Sequence, residues 1–261
     1  MENRDYQLIR AVVDGPRITI SLNRPERRNA LGPQMINELL YALDDALEDA
    51  AVRCIVITGE GKAFSAGADF SQVTGGGPAS SLEPRGDFKD LLLAIVRSHK
   101  PVIARVNGHA MGGGLGLVAA CTLAVASLDA KLGTPEIDVG LFPFMIWAVL
   151  ERLVPRRRLV EMMLTGERIG ADEAQRIGLV NRAVPASELD AAVDQYVQAL
   201  SGKSASTLRL GLEALRDAEA LSLEAKLPLL NQRLLTCLAT DDAREGLMAF
   251  LEKRAPRWSD K

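Results

Sequence analysis

"KPVIARVNGHAMGGGLGL", residues 100–117, opens as an apolar run, is stopped by Gly108, and then places five glycines in the ten positions 108–117. The run reads as a buried strand, and "GLVAACTLAVA", which starts at Gly116, is compatible with a helix. Glycine loses more conformational freedom on folding than any other residue, so such a cluster costs stability unless the bare backbone has a use. The same order occurs earlier in the chain. "CIVITG", residues 54–59, reads as an apolar strand ended by Gly59, and "GEGKAFSAGADF", residues 59–70, brings small residues to a turn behind it. A unit of strand, glycine turn and helix used at least twice implies an α/β fold with parallel strands and crossover helices.

Outward from these two units, "RITISL" (17–22) alternates Ile18, Ile20 and Leu22 with polar residues, the period of a half-buried strand. A polar break, "LNRPERRNALGPQ", follows it. From Pro33, suited to a first helical turn, Met35, Ile36, Leu39, Leu40, Leu43 and Leu47 recur at helical spacing. "LAVAS" (123–127) and "LVNRAV" (179–184) read as further short strands, and "TGGGPASSLEPRGD" (74–87) as a surface loop. After residue 186 the strand signals stop. Amphipathic segments near 187–202, 204–219 and 222–253 follow, the last broken at Thr240, whose hydroxyl can cap a helix ahead of Asp241 and Asp242. The expected organisation is an α/β body over 1–186 and a helical region over 187–261, the latter a candidate oligomerisation element.

The chain has 261 residues, 48% of them hydrophobic, and a net charge of -3. That balance gives no global field for nucleic acid or an anionic membrane, so a small-molecule partner is expected and any anionic ligand is held by local groups. Cys54, Cys121 and Cys237 are an odd set with no metal-ligand spacing; they read as structural thiols in a reducing compartment. No metal site is expected from the two histidines either. The N-terminus lacks a basic region followed by an apolar one, and the longest apolar run, residues 139–150, is too short to span a bilayer. The expected location is cytoplasmic.

Several glycine motifs are excluded at residues 108–117. Counting a dinucleotide fingerprint from Gly112 puts Leu117 in place of the last glycine, and no nucleoside triphosphate loop is present. Ala110 stands where a nucleophile elbow needs serine. What remains is a glycine run at a helix start, where exposed amides attract negative charge and can hold a developing oxyanion. The plainer alternative is close packing of a helix on a strand.

In "LNRPERRNAL", "GEGKAFSAGADF", "KPVIARVNGHAMGGGLGL", "TPEIDVGLFP", "LTGERIGADEAQRIGLVNRAVP" and "EGLMAFLEKRAP" the chain resembles, in order, the enoyl-CoA hydratase/isomerase (crotonase) superfamily. The resemblance implies a spiral core of repeated ββα units and a C-terminal helical region that builds homotrimers, often paired into hexamers. It also implies action on acyl-CoA thioesters, with coenzyme A as part of the substrate and no other cofactor. Its two oxyanion amides fall on Ala68 and Gly113. Two fixed N–H donors would stabilise the thioester enolate formed when an α-proton leaves; losing one such donor typically costs about 2.7–4 kcal/mol.

Glu136 matches one of the family's two catalytic glutamates, and apolar neighbours Ile137, Val139, Leu141 and Phe142 are expected to raise its pKa. The other glutamate, two residues after "GGG" in the hydratases, is Gly116 here. A single carboxylate suits isomerisation of an enoyl-CoA better than addition of water, with hydration as the alternative. Asp138 and Asp69 are candidate substitutes for the missing acid: Asp138 because an extended segment would put it on one face with Glu136, while Asp69 reads mainly as a brace for its loop. Branches that place an acid or an aspartate nucleophile eight residues beyond Glu136 find Phe144 instead. A non-catalytic or RNA-associated member of the fold is a further alternative, against which the acidic balance counts.

For CoA the resemblance points to Arg27 and Arg28, with Glu26 beside them, and to Lys62, Ala66 and Gly67. Asp69, Gly112 and Gly116 line the same substrate site, and the acyl tail is expected against Phe142, Phe144, Met145 and Trp147. Phe250 and Lys253 belong to a segment that often closes the pocket. His109 reads as a hydrogen-bonding residue, and Arg156 to Arg158 as a solvated charge run that can also seat a phosphate.

Overall fold

In the computed structural model, which describes residues 4–69, 71 and 82–259, the strands form two sheets, between which the chain alternates through its middle strands. The larger sheet contains β1 (Ile9–Asp14), β2 (Arg17–Leu22), β3 (Cys54–Gly59), β5 (Val102–Val106), β7 (Leu123–Ser127) and β10 (Arg182–Val184), in the order β1-β2-β3-β5-β7-β10. Every neighbouring pair from β2 onward is parallel; only β1 on β2 is antiparallel. The smaller sheet is made of four three-residue strands, β4 (Ala63–Ser65), β6 (His109–Met111), β8 (Lys131–Gly133) and β9 (Arg168–Gly170), in the order β4-β6-β8-β9.

The glycine turns of the sequence therefore contain a second strand, and the repeating unit is ββα. β5 leads to β6 and then to α3 (Gly113–Ala120); β3 leads to β4 and, further on, to α2 (Phe88–Val96). β7 leads to β8, to a 3-10 turn at Pro135–Val139, and to α4 (Phe144–Leu150). The edge strand β1 carries little pattern, since only Ile9 of its six residues is buried. "LVNRAV" forms strand only at its last three residues; Leu179 and Val180 enter the core from a turn.

"CIVITG" is apolar throughout because both of its faces are covered. Ile55 and Ile57 join Ile18, Ile20 and Leu22 of β2 against Met35, Leu39 and Leu43 of α1 (Pro33–Glu48). Cys54 and Val56 pack on the opposite face, with Ile103 and Val125, under Leu189, Ala192, Val193 and Val197 of α7 (Leu189–Ser201). The first helix beyond residue 186 is thus fastened to the sheet.

Between β8 and β10 lie α5 (Arg156–Thr165) and α6 (Ala171–Arg176). After α7 come α8 (Ala205–Ala218), α9 (Leu223–Leu238) and α10 (Asp241–Leu251). Thr240 caps α10, its hydroxyl accepting from the Ala243 N–H at 3.1 Å. In α9 no residue is buried, and Leu223, Leu227, Leu234, Leu235 and Leu238 are all more than half exposed. Of the loop expected at 74–87, residues 74–81 lie outside the described residues; its end is fixed by Asp87, which forms a capping box with Asp90 at the start of α2. Among the described residues no helix is long and apolar enough to cross a membrane, and no group of metal-ligating side chains occurs. The three cysteines are free thiols.

Candidate active site

Two loops set the turn that bears Ala68. Asn29, fully buried and in the left-handed region at φ 56°, accepts the Arg24 N–H and donates to the carbonyls of Glu60 (2.9 Å) and Ala63 (2.8 Å). The Ser65 hydroxyl donates to the Asn29 carbonyl at 2.8 Å and accepts the Gly67 N–H. The Ala66 N–H donates to the Arg28 carbonyl. Leu31 then pairs with Ala68 as an isolated parallel bridge: the Leu31 N–H donates to the Gly67 carbonyl at 2.7 Å, and the Asp69 N–H to the Leu31 carbonyl at 2.9 Å. This pairing uses the groups on either side of Ala68 and leaves the Ala68 N–H itself facing away, with no acceptor among the described residues.

Gly113 is the first residue of α3, so its N–H has no partner within the helix, and it too has no acceptor among the described residues. The preceding Gly112 sits at φ 50°, which an L side chain rarely adopts, and a Cβ there would lie 2.9 Å from Glu136 Oε1. Its N–H is tied to the Gly133 carbonyl, joining the ends of β6 and β8. Gly67, at φ 92°, is where the two turns meet: a Cβ on it would lie 2.8 Å from the Met111 carbonyl and 3.3 Å from the Gly113 nitrogen. Both amides therefore belong to one junction.

Glu136 occupies the 3-10 turn after β8, with Pro135 at the turn's first position. It is half-buried, and its Oε2 is buried without a hydrogen-bond partner. Burial raises its pKa above the ordinary glutamate value, opposed only by a backbone hydrogen bond of its own. Because the segment is a 3-10 turn and not extended, Asp138 does not share a strand face with Glu136. Its side chain is half exposed and stands 3.7 Å from Arg168 Nη2. Asp69 is committed elsewhere: it accepts from Ser71 and from Arg24 Nη1 at 2.5 Å. The Ser71 hydroxyl first, then the Arg24 guanidinium, hold its carboxyl below the usual range against the opposing effect of burial. Asp69 is thus held by Ser71 and Arg24, and Asp138 stands beside Arg168.

Ala68, Gly113 and Glu136 line two cavities at once. The first, about 440 Å³, continues along Leu31, Ile36, Phe88, Phe142, Phe144, Met145 and Ile146, with Asp69 as the other polar side chain on its wall. The second, about 240 Å³, adds Ala66, Gly67 and Gly112, with Asp138 and Arg168. The Phe142 and Phe144 rings are 5.0 Å apart. Trp147, expected beside them, does not line either cavity and is 42% exposed. Gly116 lies on the second turn of α3, its Cα covered by Ile146 and Phe88.

Arg27, Arg28 and Lys62 are exposed and have no ion-pair partner among the described residues. They sit on the two loops that Asn29 holds together. Phe250, on α10, is 81% exposed and is not brought to the cavities within one chain; nor is Lys253. Arg158 is not part of a solvated run: it pairs with Glu161, Glu167 and Glu173. His109 accepts the Lys131 N–H through Nδ1 at 3.0 Å, the hydrogen-bonding role expected of it. Sequence reasoning missed Arg24, Asn29, Leu31, Phe88 and Ile146. Of these only Asn29 carries a local signal, an asparagine in a polar break, where the left-handed conformation is tolerated.

Comparison with known proteins gives the chain's family and fold. The sequence model of the family described as enoyl-CoA hydratase/isomerase matches residues 17–261. A putative enoyl-CoA hydratase of Thermus thermophilus is 37% identical over 242 residues, covering 92% of this chain and 96% of that protein. A probable enoyl-CoA hydratase of Bacillus subtilis is 40% identical over 238 residues, 88% of this chain and 90% of that one. Among solved structures, an enoyl-CoA hydratase of Mycobacterium smegmatis superposes with a TM-score of 0.89 at 35% identity, covering 97% of this chain and 99% of that one. Human enoyl-CoA hydratase domain-containing protein 3 does so with a TM-score of 0.91 at 32% identity, covering 97% and 100%.

Proposed function

Since the chain belongs to the enoyl-CoA hydratase/isomerase family, we propose that it acts on an acyl-CoA thioester through an enolate and that its reaction is double-bond isomerisation. In this reading the thioester oxygen lies between the N–H groups of Ala68 and Gly113. Glu136 takes a proton from C2 of a 3-enoyl thioester, and the electron pair runs to the oxygen. The protonated Glu136 then returns the proton to C4, so the double bond moves to C2–C3 and no atom is gained. The observation that carries this is Glu136: a half-buried carboxylate with an unpartnered oxygen, whose raised pKa suits it to both roles, on the cavity wall that the two free amides also line.

The apolar walls of the larger cavity favour a neutral acyl chain, and exposed Arg27, Arg28 and Lys62 are the charges offered to CoA phosphates. The exposed leucines of α9 favour burial against other copies of the chain, consistent with a homotrimer or a pair of trimers. Hydration is the second reading, favoured by the names of the relatives; Gly116 in place of a second glutamate, and the commitment of Asp69 to Arg24 and Ser71, count against it. The test is to supply 2-enoyl, 3-enoyl and aromatic acyl-CoAs and separate the products by chromatography and mass. A positional isomer at unchanged mass supports the proposal. A 3-hydroxyacyl-CoA as main product transfers it to hydration.

A further inference from the structure

We propose that Ile146 is the specificity-determining residue that keeps water from the reacting carbons, so that the proton held by Glu136 returns to carbon and no hydroxyl is added. The inference rests on the enolate chemistry proposed above and concerns what decides its outcome.

Ile146 is 2% exposed and lies on α4, where that helix meets α3. Its Cγ2 comes within 2.5 Å of the position a Cβ on Gly116 would take, and Phe88 Cζ within 3.4 Å of the same point. Ile146 and Phe88 thus close over the bare backbone of Gly116 and present hydrocarbon to the cavity shared with Gly113 and Glu136. A bound water needs two to four polar partners. On this wall the polar side chains are Glu136 and Asp69, and Asp69 already accepts from Arg24 and Ser71. The two amides, Ala68 and Gly113, are taken by the thioester oxygen in the reacting complex. On the side that Ile146 walls, a water beside the substrate would keep Glu136 as its one side-chain partner, since Asp138 and Arg168 line only the second cavity. Hydration requires more: the water's hydroxyl bonds to C3 while a proton goes to C2, so its oxygen must be held and deprotonated in place. Isomerisation needs only Glu136 and the enolate.

The test uses isotopes in the intact enzyme. Wild-type protein with 2- and 3-enoyl-CoAs, in deuterated water enriched in oxygen-18, is expected to interconvert the positional isomers, carrying the substrate's own proton from C2 to C4 in preference to solvent deuterium, and to put no oxygen-18 into a 3-hydroxyacyl product. Ile146→Thr and Ile146→Val are matched in shape and differ in one hydroxyl. The threonine variant is expected to form labelled 3-hydroxyacyl-CoA at least tenfold faster than the valine variant. Two results overturn the inference: wild-type hydration within tenfold of its isomerisation, or a threonine variant that isomerises the double bond yet adds no more oxygen-18 than valine. If the threonine variant does not fold, the wild-type measurement decides alone. No isomerisation of any of these substrates by wild type is a separate outcome: it removes the proposed reaction itself, and this inference with it.

Discussion

At Glu136 burial and an unpartnered oxygen act on the same carboxylate. With its folded-state pKa raised, Glu136 favours the folded state most fully below the unfolded glutamate pKa, and that contribution is lost as pH rises through the folded value. Glu136→Gln is therefore expected to melt above wild type at neutral pH and to converge with it in acid; calorimetry across that range checks the sign. The same substitution should lower turnover by at least about 100-fold while CoA binding is retained. In wild type the acid limb of kcat/KM should fall above the ordinary glutamate range, because the base must be ionised. The glycine run separates by position. A Cβ at Gly114 would lie 2.6 Å from Ser65, whereas one at Gly113 would only touch Leu31 and Phe88 at 3.4 Å. Gly113→Ala should therefore fold, yet lose about 100-fold in turnover by shifting the thioester, and Gly114→Ala should lower the melting temperature. Equal turnover of Gly113→Ala and wild type would show that the thioester does not approach this backbone.

At the scale of elements, α3 and α4 meet through Gly116, so Gly116→Glu alone meets Ile146 before it meets substrate. It is expected to lose about 1–3 kcal/mol in urea unfolding, the usual effect of overpacking, rather than to gain hydratase activity. Asp242, buried in α10, accepts hydrogen bonds from Ser204, Ser206 and Ser259; although burial opposes it, these hold its pKa down to about 2. Asp242→Ala should cost about 3 kcal/mol by leaving those donors unpaired. The long elements were legible because their periodicity is strong: β2, β3, β7 and α1 stand where the apolar pattern sets them. The three-residue strands β4 and β6 were not, since each lies within glycine-rich sequence that reads as a turn, and β8 is too short to show a period; all three are held by partners far along the chain. The turn of Glu136 was read as extended, although Pro135 at its first position is a helical signal. Ala68, Gly113 and Glu136 were nameable only through the family resemblance; the wall formed by Ile146 was not, because a contact across thirty residues leaves no local trace.

For the whole molecule, a helix with no buried residue and a row of exposed leucines is incomplete as a monomer surface. Light scattering should give a trimer or hexamer mass, and Leu227→Glu combined with Leu234→Glu should lower it; a wild-type monomer would contradict the expected assembly. The central claim concerns the chain and its ligand together: two main-chain N–H groups and one carboxylate converge on a thioester. It is tested most directly by a crystal structure with a non-reacting acyl-CoA analogue bound. The account predicts the thioester oxygen about 2.7–3.1 Å from the nitrogens of both Ala68 and Gly113, with Glu136 beside the α-carbon. A thioester oxygen bonded to neither amide, or a Glu136 turned away from the acyl chain, would contradict it.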